Sequence, residues 1–153
     1  MLVRTAGDDD VAVVAGLRRA WVEENHGAPV ADEGYDERFA DWWEREHDQR
    51  VTWLVEDAGR PLGMLNLLVF HRMPRPRLEG SHPESWGYVA NVYVVPDARD
   101  RGVGARLLEA VVSFADAEGF ARLVLSPSER SVPFYARAGF VPATTLMVRP
   151  GRR

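Results

Sequence analysis

Two glycines and three arginines lie within residues 99–106 of the chain. The segment follows an apolar run that ends at Pro96, and it precedes residues with helical spacing that begin near Val103. The first N–H groups of a helix have no partner within the helix, and they lie at its positive end. Because glycine lets a ligand approach the backbone and arginine adds positive charge, this pattern is typical of a site for a phosphate or pyrophosphate group.

Two common phosphate-binding patterns do not fit this segment. A dinucleotide-binding loop would have a third glycine after Gly104 and an acidic residue on the next strand, and the chain has neither at residues 106–108 or 123–125. A P-loop needs a lysine, and all 19 basic residues of this chain are arginines. A lone Gly-x-Gly is also compatible with a plain strand-to-helix turn, so the interpretation needs support from the rest of the chain.

The composition narrows the class of protein. With 153 residues, 46% hydrophobic and 27% charged, the chain is typical of one folded domain, which we assign to residues 1–153. The absence of cysteine excludes disulfides, a thiolate nucleophile and a cysteine zinc site, and we expect no metal. A net charge of -4 argues against a nucleic-acid-binding protein. No apolar run reaches the roughly 20 residues that span a bilayer, and the N-terminus does not resemble a signal peptide, so we expect a cytoplasmic protein that does not bind membranes.

The hydrophobic pattern predicts a mixed α/β domain. Strands are expected near residues 1–5, 51–56, 61–70, 88–95 and 121–125. Helices are expected near residues 8–24, 36–47, 103–117 and 130–138. A proline-rich loop is expected over residues 72–84, and a last strand or hairpin over residues 140–148.

Three segments carry residues at a recognisable spacing. Residues 99–104 read Arg-Asp-Arg-Gly-Val-Gly, and residues 134–140 read Phe-Tyr-Ala-Arg-Ala-Gly-Phe. The first resembles motif A of the GCN5-related N-acetyltransferase (GNAT) superfamily, Arg/Gln-x-x-Gly-x-Gly/Ala, and the second its Tyr-x-x-x-Gly-Phe signature. Residues 92–96 resemble the family's fourth strand. The resemblance implies an α/β fold whose mixed, mostly antiparallel sheet has splayed fourth and fifth strands and is flanked by about four helices.

The same resemblance implies acetyl-CoA as the co-substrate. The backbone of Val92 and Val94 is expected to bond the pantetheine arm and the acetyl carbonyl, and the amides of residues 101–106 are expected to hold the pyrophosphate. The family often bonds pantetheine through an asparagine, for which this chain offers Ser128 or Ser131. The predicted cofactor-binding residues are Val92, Tyr93, Val94, Arg99, Asp100, Arg101, Gly102, Val103, Gly104, Ala105, Arg106 and Ser131.

Tyr135 matches the family tyrosine that lies near the thioester sulfur, where a phenol can protonate the departing CoA thiolate as a general acid. The alternative is a core aromatic residue on an amphipathic helix. A general base is harder to place. Glu24, His26, His71 and Glu84 are candidates by position, and each also fits the description of an ordinary solvated residue.

In the family, the first two helices, their loop and the start of the fourth strand usually line the acceptor cleft. The corresponding residues 21–37 and 84–91 hold seven acidic residues and no arginine or lysine. This charge favours a small cationic amine, although ordinary solvated helix ends give the same pattern. Asn91 lies in an apolar strand, where it either orients the acceptor or tethers a bulge. The aromatic residues that can pack against an ammonium group are Trp21, Tyr35, Trp42 and Trp86. The predicted acceptor-binding residues are Trp21, Glu24, Tyr35 and Asn91.

The sequence therefore favours an acyl-CoA-dependent N-acetyltransferase that moves an acetyl group to a primary amine by direct attack. One alternative is a non-catalytic acyl-CoA-binding sensor, and another is an acetyltransferase for a protein or peptide amine. A purely structural or interaction protein would have no reason to combine Arg99, Gly102, Gly104 and Tyr135. A homodimer is a further expectation, because the family often dimerises through its late strands.

Overall fold

A computed structural model describes residues 1–76, 80 and 83–151, and its centre is a mixed sheet of five strands. The strands are β1 (Leu2–Thr5), β2 (Arg50–Asp57), β3 (Arg60–His71), β4 (Ser85–Val94) and β5 (Leu123–Val124). They lie side by side in chain order. The first four pair antiparallel, and β5 runs parallel to β4. The predicted mixed, mostly antiparallel sheet is therefore confirmed.

Helices cover both faces of this sheet. They are α1 (Val11–His26), α2 (Tyr35–Glu46), α3 (Val103–Ala117) and α4 (Val132–Arg137). α1 and α2 pack on one face around Leu54, Met64 and Tyr93, and α3 packs on the other face around Leu65 and Leu67. Within the part of the chain that the structure describes, no helix has the length and apolar character needed to cross a membrane.

Side-chain alternation along β3 supplies both halves of the core. Met64 points to the α1 and α2 side, whereas Leu65 and Leu67 point to α3. From α3, Leu107 and Val111 meet them and are 0% exposed. Because the apolar residues of α3 recur at helical spacing, the predicted bounds of this helix are confirmed. The other strands and helices lie where the sequence predicted them, with small shifts at their ends.

β4 and β5 pair over a short distance only. Their ladder consists of Gly87 with Leu123 and Tyr88 with Val124, while β4 continues along β3 as far as Val94. The predicted splaying of the fourth and fifth strands is thus present. A register shift in the β3–β4 ladder leaves Ala90 as an extra residue in β4, next to Asn91. Such a bulge bends the strand and increases its twist.

The predicted strand or hairpin over residues 140–148 is wrong. The described residues after α4 form no helix or strand, and from Val141 onward their apolar side chains are exposed, Val141 by 82% and Met147 by 98%. A strand needs a partner edge, and the neighbouring strand β5 is only two residues long. Pro142 also lacks an N–H group to donate to a ladder.

The predicted loop over residues 72–84 is only partly within the described chain. Residues 72–76, 80 and 83–84 form no helix or strand. Residues 77–79 and 81–82 lie outside the described residues.

Replacing Leu107 with alanine tests the core beneath α3. Leu107 is fully buried, so the Leu107→Ala variant should lose about 2–5 kcal/mol of unfolding free energy through lost burial and a residual cavity. Urea unfolding measures this loss. Leu146→Ala is the matched control, because Leu146 is 52% exposed, and its unfolding free energy should change by less than about 0.5 kcal/mol. A large loss in the control would show that residues 140–148 pack in solution.

Candidate active site

The loop between β4 and α3 has the backbone of an anion site. After a 3-10 turn at Pro96–Ala98, Asp100 and Gly102 both adopt positive φ angles, 58° and 79°. Gly102 is the N-cap of α3, and no side chain caps the helix. The first hydrogen bond of the helix runs from the N–H of Arg106 to the carbonyl oxygen of Gly102, at 3.1 Å. The N–H groups of residues 103–105 precede that bond, so helix geometry leaves them available to a ligand.

This loop lies at one end of a cleft of about 790 Å³. The cleft follows the open edge of β4 and is closed on the far side by the segment that leads into α4 and by α4 itself. It brings together Tyr135 and most of the predicted cofactor-binding residues. These are Val92, Val94, Arg99, Asp100, Gly102, Val103, Gly104, Ala105 and Ser131.

Three predicted cofactor-binding residues do not line the cleft. Tyr93 lies between Val92 and Val94 on β4, so its side chain points to the opposite face, where it is 5% exposed and stacks on Trp21 with ring centroids 6.1 Å apart. Arg101 and Arg106 are exposed and stand outside the lining. The backbone of Arg101 and Arg106 lies in the loop while their side chains do not face the cleft, and a part for Tyr93, Arg101 and Arg106 in cofactor binding stays a prediction.

Two other arginines line the cleft and were missed by the sequence reasoning. Arg130 precedes α4 and Arg137 is its last residue, and both face the cleft from the side opposite the loop. A signal was present, because Arg137 lies within the Tyr-x-x-x-Gly-Phe segment and Arg130 lies just before it. Sequence spacing alone did not reveal that α4 returns to the loop.

Gly104 is the point where α4 meets the loop. A Cβ atom at Gly104 would lie 3.0 Å from the ring of Phe134 and 3.8 Å from Val94. A side chain at this position would therefore push α4 away from α3. Glycine is needed here for close packing between the two helices as well as for access to the backbone.

Tyr135 is half-buried among aromatic rings. Its ring centroid lies 5.1 Å from that of Phe134 and 5.9 Å from that of Phe140, both in edge-to-face contact. Burial raises the pKa of its hydroxyl above the ordinary value. The phenol is therefore protonated at neutral pH, which is the state that a proton donor requires.

Ser128 and Ser131, the two alternatives for the family's asparagine, both line the cleft. Ser128 Oγ donates to Ser131 Oγ at 3.0 Å, and Ser131 Oγ donates to the carbonyl oxygen of Ser128 at 2.9 Å. Both hydroxyl protons are thus in use. What these hydroxyls still offer a ligand is their oxygen lone pairs, which can accept from an amide N–H.

Arg99 lines the cleft and is also paired with Glu24 of α1. Its Nη1 and Nη2 donate to the two carboxylate oxygens of Glu24, each at 2.7 Å, and its Nε donates to the carbonyl oxygen of Val94 at 3.0 Å. The hydrogen bond with Arg99 lowers the pKa of the Glu24 carboxyl, and the same bond raises the pKa of Arg99. Glu24 is therefore ionised at neutral pH, and both of its oxygens accept from Arg99.

The four candidate general bases lie outside the cleft lining. Glu24 is held by Arg99, and His71 shares a hydrogen bond of 2.9 Å with Ser85 Oγ. His26 and Glu84 are exposed. A general base among them stays a prediction.

The aromatic residues that we expected to receive an ammonium group already carry guanidinium groups from this chain. The distances from guanidinium carbon to ring centroid are 4.8 Å for Arg18 on Trp21, 4.7 Å for Arg19 on Tyr35, 5.1 Å for Arg50 on Trp42 and 5.3 Å for Arg122 on Trp86. Each arginine occupies one face of its ring, which leaves a ligand less aromatic surface than the sequence suggested.

The acidic residues near the expected acceptor cleft divide into two groups. Glu23, Glu24 and Asp32 pair with arginines from outside residues 21–37, namely Arg19, Arg99 and Arg38. The exposed acids Glu33, Asp36, Glu37 and Glu84 form no ion pair within the described residues. Only this second group provides uncompensated negative charge.

Asn91 is half-buried on β4 beside the bulge, directly opposite Asn66 of β3. Asn66 is buried and satisfied, because its Nδ2 donates to Thr52 Oγ1 at 2.8 Å and its Oδ1 accepts from Arg50 at 2.7 Å. Both alternatives for Asn91, acceptor contact and bulge tether, are compatible with this place.

Comparison with known proteins agrees with the geometry. A model described as the Acetyltransferase (GNAT) family matches residues 15–140. The glucosamine 6-phosphate N-acetyltransferase of Trypanosoma brucei brucei is 27% identical over 85 residues, which are 56% of this chain and 54% of that protein. The aligned part thus spans about half the length of that curated relative.

Solved structures of similar fold cover almost the whole chain. A GCN5-related N-acetyltransferase from Ralstonia eutropha is 30% identical, with a TM-score of 0.73 and 97% of each chain covered. A predicted acetyltransferase from Clostridium acetobutylicum, solved with acetyl-CoA, is 17% identical, with a TM-score of 0.75 and coverage of 97% of this chain and 95% of that one. Because the family model spans most of the sequence and the fold agrees with it, this chain belongs to the acetyltransferase (GNAT) family.

Proposed function

We propose that this protein transfers the acetyl group of acetyl-CoA to a primary amine. The observation that carries the proposal is that one cleft is lined both by the start of α3, whose first N–H groups have no helical partner, and by Tyr135. The first is a site for a pyrophosphate, and the second is a proton donor for a thiolate. The similar structure from Clostridium acetobutylicum, which was solved with acetyl-CoA, supports the same ligand here.

The cofactor is proposed to lie along the open edge of β4. The N–H groups of residues 103–105 receive the pyrophosphate, and Arg99, Arg130 and Arg137 supply positive charge around it. The pantetheine arm runs beside Val92 and Val94, whose edge is not paired with β5. The oxygens of the serine pair, residues 128 and 131, accept from the pantetheine amides.

The proposed chemistry is direct attack on the thioester. The neutral amine nitrogen forms a bond to the acetyl carbonyl carbon, and the carbon–sulfur bond breaks with its electron pair on sulfur. Tyr135 donates its hydroxyl proton to the departing thiolate and then regains a proton from water. The new ammonium loses a proton to water or to a base in the acceptor cleft. The products are an acetamide and CoA.

A negative charge at the start of α3 should weaken cofactor binding. Ala105 is exposed and lines the cleft, so Ala105→Glu places a carboxylate beside the proposed pyrophosphate without disturbing the core. We expect acetyl-CoA affinity to fall by about tenfold or more in calorimetry, since each tenfold corresponds to about 1.4 kcal/mol. Ala117→Glu, the same substitution at the exposed far end of α3, is the control and should bind normally. Equal affinity in both variants would contradict the cofactor assignment.

Removing the phenol of Tyr135 should slow turnover while leaving binding intact. We expect Tyr135→Phe to lower kcat by about tenfold or more, with the Kd for acetyl-CoA nearly unchanged. Because burial raises the pKa of this hydroxyl, the proton-donating form is present at all pH values below that pKa and is lost only above it. The midpoint of any alkaline loss of wild-type kcat that comes from this group should therefore lie above the ordinary tyrosine pKa of 10.0. A Tyr135→Phe enzyme that turns over at the wild-type rate would make Tyr135 a packing residue.

We propose further that the acceptor is a small cationic amine. The support is the set of exposed acids without an ion pair in the described chain, Glu33, Asp36, Glu37 and Glu84. Such carboxylates raise the local concentration of cations. The acceptor contacts of Trp21, Tyr35 and Asn91 belong to this same proposal. Arg18 covers one face of Trp21 and Arg19 covers one face of Tyr35, so these rings offer a ligand less surface for cation–π contact.

A matched acceptor panel tests this choice. Polyamines, aminoglycosides, basic peptides, neutral amines and anionic amines such as glucosamine 6-phosphate are compared by kcat/KM at two salt concentrations. We expect the highest kcat/KM for a small polycation, and we expect salt to lower it because exposed charges are screened. A best acceptor with net negative charge, or a preference for the peptides, would contradict the proposal.

The remaining alternatives are separated by simpler observations. A sensor would be stabilised by acetyl-CoA in a thermal shift but would release no thiol with any amine of the panel. The homodimer and the cytoplasmic location both stay predictions.

A further inference from the structure

One ion pair joins the cofactor loop to a helix 75 residues away in sequence. Glu24 lies in the C-terminal part of α1, and Arg99 lies between the end of β4 and the start of α3. The pair is bidentate, with both nitrogen–oxygen distances at 2.7 Å. Both side chains are 35% exposed, so the pair contributes little to the stability of the fold.

The surrounding contacts fix the guanidinium of Arg99 in place. Its Nε bonds to the carbonyl oxygen of Val94, and its Cζ lies 5.9 Å from the ring centroid of Tyr93. Tyr93 in turn stacks on Trp21, one turn before Glu24 on α1. Three of the five N–H groups of Arg99 are thus held by Glu24 and Val94, and two remain for another acceptor.

We propose that Glu24 is a positioning residue for acetyl-CoA, which acts by holding Arg99 at the mouth of the cofactor cleft. The inference rests on the proposed function. Because Arg99 lines the cleft, its two remaining N–H groups are available to a cofactor phosphate only while Glu24 and Val94 keep the guanidinium in this orientation. A bidentate pair fixes the plane of the guanidinium, whereas a single hydrogen bond would let it rotate.

This role differs from the two that the sequence suggested for Glu24. Both oxygens of Glu24 already accept from Arg99, and that hydrogen bonding lowers the pKa of the carboxyl, which makes Glu24 a weaker base and fixes its orientation toward Arg99. Breaking that pair would expose a charge and release the arginine. The Glu24 carboxylate therefore acts in cofactor binding, although α1, on which it lies, is one of the helices expected to line the acceptor cleft.

The test compares Glu24→Gln with Asp97→Asn. Asp97 pairs with Arg60 at 2.8 Å in the turn just before Arg99, it is exposed, and it does not line the cleft. Each substitution removes one carboxylate near a cofactor that carries several negative charges. Simple electrostatics predicts that both variants bind acetyl-CoA slightly more tightly. If Glu24 positions Arg99, acetyl-CoA should instead bind more weakly to Glu24→Gln, and only to that variant.

We expect Glu24→Gln to raise the Kd and the KM for acetyl-CoA by about fivefold or more, while kcat at saturation, the KM for the acceptor and the Tm stay close to wild type. Asp97→Asn should show none of this loss. Arg99→Lys keeps the positive charge but lacks the planar guanidinium that forms two parallel hydrogen bonds, so it should weaken acetyl-CoA binding as well. The double variant Glu24→Gln, Arg99→Lys should lose no more than the worse single variant, because the two residues act as one unit.

Each contrary outcome points elsewhere. Unchanged acetyl-CoA affinity in Glu24→Gln overturns the inference. A raised KM for the acceptor alone would make Glu24 an acceptor ligand, and a lower kcat with a shifted acidic limb of the pH profile would make it a base. If wild-type protein fails to bind acetyl-CoA in calorimetry, the proposed function fails and this inference fails with it.

Discussion

β4 has two different edges, and the rest of the site depends on that difference. One edge bonds to β3 along the strand, whereas the other bonds to β5 only at Gly87 and Tyr88. Backbone polar groups beyond that point have no ladder partner on the open edge, so they are available to water or to a ligand. A gap inside a sheet also has rigid walls, because the strands on either side are anchored in the core. The cleft is therefore a consequence of where strand pairing stops.

A second constraint links the two sequence signatures to each other. α4 has only six residues, and a helix of that length is not stable by itself. Its position comes from Phe134, which packs on the bare backbone of Gly104, and from the ring contacts of Tyr135 with Phe140. The glycine of the anion-binding loop and the tyrosine of the last helix are thus parts of one packing arrangement. The loop proposed to bind the pyrophosphate therefore also fixes the position of Tyr135, the proposed proton donor.

Arginine is the basic residue throughout this chain, and the structure uses its planar group in two ways. On the α1 and α2 side, Arg18 and Arg19 cover aromatic rings, where a flat, weakly hydrated cation packs well. In the cleft, Arg130 and Arg137 supply charge. Arg99 does both, since its guanidinium lies over the ring of Tyr93 and it also lines the cleft, where it forms a bidentate ion pair with Glu24. The negative charge that the sequence places near the acceptor cleft is partly neutralised by Arg19, Arg38 and Arg99.

Local patterns in the sequence determined the order of strands and helices, the bounds of α3 and the backbone of the anion loop, because periodicity, glycine and helix-end geometry act within a few residues. Tertiary structure alone decided which side chains meet. Arg99 finds Glu24 across 75 residues, Arg137 reaches the cleft although Arg101 and Arg106 do not, and residues 140–148 find no edge on which to form a strand. These outcomes depend on the path of the chain between distant segments. Side-chain partners and strand pairing are set by that path, which local sequence patterns do not determine.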